Sequence, residues 1–153
     1  LRFKIALKSK KISVLEIMSV DLLETCMKQI LVVDDSATMR RMVMASLREL
    51  TEVSFDEASS GLEAIEYLAM SSIDLMILDL NMPDMHGLEV LKFVRGHEKY
   101  QMIPIIVLTT RGDESSRGAA IAAGASRYLT KPFEPGQLAE QANNLLNNGE
   151  IEG

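Results

Sequence analysis

Residues 73–87 read IDLMILDLNMPDMHG. Ile73 to Leu78 reads as a buried strand closed by Asp79, and Pro83 and Gly87 punctuate the loop that follows. Leu88, Leu91 and Val94 then recur at helical spacing. The unit is a buried strand closed by an acid, then a loop, then an amphipathic helix.

The same unit repeats on either side. Upstream, Ile30 to Val33 is a compact β-branched run that ends at Asp34. Ser36 can cap a helix to about Leu50, with Met39, Met42, Val43, Ser46, Leu47 and Leu50 on its inner face. Glu52 to Ala58 alternates as a strand with Val53 and Phe55 on one side, and Ser60-Gly61 leads into a helix using Leu62, Ile65 and Leu68. Downstream, Ile103 to Leu108 is a strand ending at Thr109, and Arg111 to Ala123 is a helix stopped by Gly124. Arg127 to Thr130 is a short strand, and Glu134 to Asn147 a last helix with Leu138, Ala142, Leu145 and Leu146 inward. Five strands alternating with five helices predict an α/β fold, (βα)5, doubly wound on a five-stranded parallel sheet, because parallel neighbours need crossover helices.

Composition fits one soluble domain. The 153 residues are 47% hydrophobic and 25% charged, with a net charge of −6. An acidic balance excludes nucleic acid as the main partner, since phosphate backbones recruit basic surfaces. A single cysteine, Cys26, cannot form an internal disulfide. No stretch reaches the ~18 apolar residues of a membrane span, so no membrane crossing is expected and the cytoplasm is the default location. Residues 1–28 carry six basic and three acidic residues, against ten basic and nineteen acidic in the remainder. This segment reads as an N-terminal extension, either a helix with Leu15, Met18 and Leu22 on one side or sequence upstream of a natural start at Met27. The expected folded domain is 29–148, with 149–153 a tail and no appended output domain.

In a doubly wound sheet, ligands bind beyond the carboxyl ends of the strands. Those ends carry Asp34-Asp35, Asp79, Thr109 and Lys131-Pro132. Three carboxylates in one small space repel one another unless a cation joins them. Mg²⁺ suits an all-oxygen site needing only one or two carboxylates, whereas zinc would want His or Cys at ligand spacing. One aspartate at a strand end would be read as a cap; three, with a threonine and a lysine, point to a site.

These motifs carry a resemblance. Asp34-Asp35-Ser36, then 79–87 (DLNMPDMHG), Leu108-Thr109-Thr110 and Lys131-Pro132-Phe133 resemble the receiver domain of bacterial response regulators over about 28–147. The separations of 44 (Asp35 to Asp79), 30 (Asp79 to Thr109) and 22 (Thr109 to Lys131) also fit. Residues 37–41 (ATMRR) are similar to the CheY-like chemotaxis subgroup. The resemblance implies the flavodoxin-like strand order 2-1-3-4-5. It implies a signalling domain rather than an enzyme, with Asp79 as phosphoacceptor. Mg²⁺ would be held by Asp35, by Asp34 directly or through water, by Asp79 and by the backbone carbonyl of Asn81. Lys131 would contact the phosphoryl oxygens, behind a cis Lys131-Pro132 bond. Thr109 and Tyr128 would form the switch, Thr109 moving to the phosphoryl group and Tyr128 turning inward. The output face would include Arg117, Ile121, Tyr128 and Gln141. The implied partners are a histidine kinase or phosphotransfer protein and a downstream protein target, with the chain a monomer or a weak phosphorylation-dependent dimer.

The sequence departs from the family pattern at Thr110, where a smaller residue is usual, and Arg111 follows near the site mouth. His86 and His97 have no argued role, His86 being read as solvated. Two other classes fit less well. A phosphatase with an aspartate nucleophile wants a second acid two residues on, where Asn81 stands. A flavin or nucleotide module wants a phosphate loop where Asp34-Asp35 stands.

Overall fold

The computed structural model describes residues 27–110 and 112–148. The readings made on Cys26, Arg111, the N-terminal extension up to residue 26 and the tail 149–153 lie outside the described residues.

The elements alternate strictly: β1 (Lys28–Val33), α1 (Ala37–Ser46), β2 (Val53–Ala58), α2 (Gly61–Met70), β3 (Leu75–Leu78), α3 (Gly87–Gly96), β4 (Ile105–Thr109), α4 (Glu114–Ala122), β5 (Arg127–Thr130) and α5 (Pro135–Asn148). The sheet order is β2-β1-β3-β4-β5 with every pairing parallel. This is the flavodoxin-like (βα)5 fold expected from the sequence. The central strands are apolar at consecutive positions because both faces are covered.

Alternation along the strands sorts their side chains into two cores. Ile30, Val32, Leu75, Ile77, Ile106 and Leu108 pack with Val43 and Leu47 of the α1 side and with Leu138, Ala142 and Leu145 of α5. Leu31, Val33, Met76, Leu78, Ile105 and Val107 pack with Ala64 and Leu68 of α2, Val90, Leu91 and Val94 of α3, and Ala120 of α4. Each buried Leu or Ile contributes about 1.5–3 kcal/mol.

Several boundaries differ from the sequence reading, each for a local reason. Leu47 caps α1, so the helix stops before Leu50, and Met42 is 51% exposed rather than inward. Leu62 is 59% exposed, and Ala64 takes the inner position on α2. Glu52 adopts a left-handed φ of 60° and so turns the chain into β2 instead of beginning it. Pro104 has no N–H to donate, and β4 begins one residue later. Asp113 caps α4 through Ser116 N–H, delaying that helix to Glu114. Gly124 has the left-handed φ, 109°, expected of a helix stop.

Candidate functional site

At the carboxyl end of the sheet, β1 and β3 are neighbours in register, with Val33 opposite Leu78. The next residues, Asp34 and Asp79, therefore leave the sheet side by side. Asp79 N–H still donates to the Val33 carbonyl at 3.0 Å, and Asp34 N–H to that of Ala58 at 3.1 Å. Both aspartates are buried, while Asp35 is exposed. One carboxylate oxygen from each of Asp34, Asp35 and Asp79 lies within 4.8 Å of the other two.

Lys131 faces this cluster. Its backbone N–H donates to the Thr109 carbonyl at 2.8 Å, extending the β4–β5 ladder by one bond. The Lys131–Pro132 bond is cis, as the family resemblance implied. Lys131 Nζ lies 2.6 Å from Asp34 Oδ2 and 3.6 Å from Asp79 Oδ1. Its first partner is thus Asp34, with Asp79 just beyond hydrogen-bonding range.

Asp79 Oδ1 is buried without a hydrogen-bond partner. Such an atom costs about 1–3 kcal/mol, more when charged, unless something meets it. Burial pushes the Asp79 carboxyl above its ordinary range. The Lys131 charge and the Asn81 backbone N–H oppose the shift, and the charges of Asp34 and Asp35 add to it. A carboxylate trio with one orphaned buried oxygen, and no His or Cys, matches a hard divalent cation with oxygen ligands. The residues present therefore fit the expected Mg²⁺.

Thr109 and Asn81 lie at the same end. Thr109 is fully buried, and Asn81 Nδ2 donates to Thr109 Oγ1 at 3.2 Å and to Thr110 Oγ1 at 3.3 Å. Tyr128 is only 8% exposed and belongs to the core on the α2–α4 side, so its ring is already inward. The Arg117 guanidinium stands 6.0 Å from the centre of that ring. Around them runs a groove of about 260 Å³, lined by α4, β5 and the start of α5, with Arg117, Tyr128 and Gln137 in its wall. Of the other residues expected on an output face, Ile121 is exposed and Gln141 accepts from Arg127 Nε at 2.9 Å.

Three residues escaped the sequence reading. Arg40 donates through Nη1 to the Asp34 carbonyl at 2.7 Å and pairs with Glu57 at 2.9 Å, bracing the β1–α1 loop. His86 caps α3, its Nδ1 accepting from Leu88 N–H at 3.2 Å. The sequence signal for His86 was its place just before Gly87 and the apolar helical run. Asp84 reaches across to α2, where its oxygens accept from Gly61 and Leu62 N–H at 3.3 Å each.

A family model described as the response regulator receiver domain matches residues 30–143. The chain is 41% identical over 126 residues to a chemotaxis protein CheY homolog of Campylobacter jejuni, covering 82% of this chain and 97% of that one. Among solved structures, chemotaxis protein CheY4 of Vibrio cholerae superposes with a TM-score of 0.72 at 35% identity, over 78% of this chain and 99% of that one. The Mn²⁺-bound form of response regulator Rcp1 superposes with a TM-score of 0.67 at 28% identity, over 82% and 96%.

Proposed function

Because this chain belongs to the response regulator receiver domain family, we propose that Asp79 is the residue on which a histidine kinase or phosphotransfer protein places its phosphoryl group. The family is that of CheY-like, phosphorylation-activated modules of two-component signalling. The observation that carries the residue assignment is the orphaned, buried Oδ1 of Asp79 beside two further carboxylates and opposite Lys131.

Transfer forms a P–O bond to Asp79 and breaks the P–N bond of a phosphohistidine, whose imidazole leaves with the electron pair. The acceptor must be ionised. Lys131 favours that state against the upward push of burial. Lys131 also stands where it can turn from Asp34 to the incoming phosphoryl oxygens, offering a compact charge with three donors. Asp34, Asp35, Asp79 and the Asn81 carbonyl are the groups that would hold Mg²⁺. When bound, the ion supplies neutralisation of the carboxylates and of the phosphoryl oxygens. Positioning and charge stabilisation are what phosphoryl transfer chiefly needs.

Thr109 is the proposed sensor. Its hydroxyl accepts from Asn81 and is the group proposed to turn to the phosphoryl oxygens. Tyr128 lies on β5 beside Thr109's strand, Val107 opposite it. Its inward ring, under Arg117, fits the inward arm of a two-position switch. The α4–β5–α5 face is the proposed output surface, with Arg117 and Tyr128 in the wall of its groove, Ile121 exposed beside it and Gln141 held by Arg127.

The test is incubation with acetyl phosphate and Mg²⁺, followed by intact-mass measurement. Wild type should gain one phosphoryl group and Asp79→Ala none. Saturable beryllofluoride binding by wild type alone should accompany it. An equal gain in the variant would reject Asp79 as the acceptor.

A further inference from the structure

Between Leu80 and Gly87 the chain makes a loop held at three places. At the base, Gly87 N–H donates to the Leu80 carbonyl at 3.0 Å. The approach is so close that a Cβ on Gly87 would stand 2.3 Å from the Asp79 carbonyl oxygen. Near the start, the Asn81 side chain spans to Thr109 and Thr110. At the tip, Asp84 and Met85 lie on the first turn of α2.

The tip contact answers a question posed by the helix. The first four N–H groups of a helix lack partners inside it. On α2, the Ser60 hydroxyl accepts from Glu63 N–H at 3.1 Å, and Ala64 N–H makes the first regular helix bond, to the Ser60 carbonyl, also at 3.1 Å. Gly61 and Leu62 N–H, which have no partner inside the helix, donate to Asp84, more than twenty residues away. Burial is the largest single influence on the Asp84 carboxyl and pushes it up, but the backbone N–H groups of Met85, Leu62, Gly61 and Asp84 together outweigh it and hold the carboxyl below its ordinary range. A negative charge at a helix N-terminus is also favoured by the helix dipole. Gly61 makes the docking possible, since a Cβ there would meet Met85 Cβ at 2.7 Å.

We propose that Asp84 is a positioning residue: by tying the loop to α2 it fixes the Asn81 carbonyl and so tightens divalent-cation binding at the Asp34–Asp35–Asp79 cluster. The proposal rests on the reading of that cluster as a cation site with Asn81 as a ligand. Mg²⁺ demands near-ideal octahedral placement of its ligands, so a loosened carbonyl weakens binding even when every carboxylate remains. Losing a group that orients a ligand typically costs 10–100-fold in metal affinity.

Calorimetric titration of the full chain with MgCl₂ at neutral pH tests this. Asp84→Ala should weaken binding by about 10-fold. Asp84→Asn keeps only one of the two acceptor oxygens, since its amide nitrogen cannot accept from an N–H, and should weaken binding less than Asp84→Ala. Gly61→Ala, which pushes Met85 away while leaving Asp84 intact, should weaken binding like Asp84→Ala, and it decides the matter if Asp84→Ala does not fold. Ser60→Ala weakens α2 without touching the loop, so it should lower stability and leave Mg²⁺ affinity unchanged. Wild-type affinity in Asp84→Ala or Gly61→Ala overturns the proposal. Failure of wild type to bind Mg²⁺ would instead reject the cluster itself as the cation site.

Discussion

Two aspartates bracket the same strand, Asp74 before β3 and Asp79 after it, and they live under opposite conditions. Asp74 is partly buried and engaged on both sides of its backbone: its Oδ2 accepts from Gln29 N–H at 2.8 Å, and its own N–H returns a bond to the Gln29 carbonyl at 2.8 Å. It completes the ladder between β1 and β3 where the strands begin. Asp79 stands where they end. It is buried, one oxygen has no hydrogen bond, two other carboxylates crowd it, and Lys131 stops 3.6 Å short. The same side chain is a structural bracket at one end of the strand and, at the other, a destabilised carboxyl that is the proposed phosphoacceptor. The difference lies in the partners, and it implies that stability and function separate along β3.

The largest expected effect breaks the reactive end by removing its counter-charge. Lys131→Ala leaves two buried acids without their cation, and breaking a buried pair costs about 3–5 kcal/mol. Urea unfolding at pH 7 in EDTA should show that loss. Without the Lys131 charge the Asp79 carboxyl rises further, so the deficit should shrink as pH falls through its titration. Phosphorylation by acetyl phosphate should slow by about 100-fold or more.

Asp74→Ala attacks the other end. It strands the Gln29 N–H at a partly buried position, at a cost of about 1–3 kcal/mol by urea unfolding. The variant should accept phosphoryl groups at the wild-type rate once folded. A large loss of phosphorylation would show that the two ends are coupled and undo the comparison.

The smallest effect has the opposite sign. Because the native Asp79 carboxyl titrates above the ordinary value of 3.8, the native state binds more protons than the unfolded one between those two values. Stability therefore falls as pH rises through that window, and the penalty is complete above it. Asp79→Asn removes the penalty. In EDTA it should raise stability by about 1 kcal/mol at pH 7 and give no gain below about pH 4. Destabilisation by Asp79→Asn at pH 7 would mean that Asp79 is held as firmly as Asp74.

Much of this molecule is legible in the chain itself. Period and punctuation give five strands and five helices, because a buried strand must be apolar at consecutive positions and a helix must show its apolar side every three or four residues. The residues at the strand ends are equally local: Asp34-Asp35, Asp79, Thr109 and Lys131 each follow an apolar run directly. Errors fell where two local signals competed, as at Met42 and Leu62, whose hydrophobicity suggested burial although the helix turns them outward.

The tertiary structure alone decided who pairs with whom. Lys131 meets Asp34 before Asp79, Arg40 grips the Asp34 carbonyl, Tyr128 is already inward, and Asp84 caps a helix from a distant loop. Periodicity assigns a side chain to a face of its own element. The last few ångströms between groups far apart in the chain depend on how helices and sheet pack, and on those distances the electrostatics of the site turns.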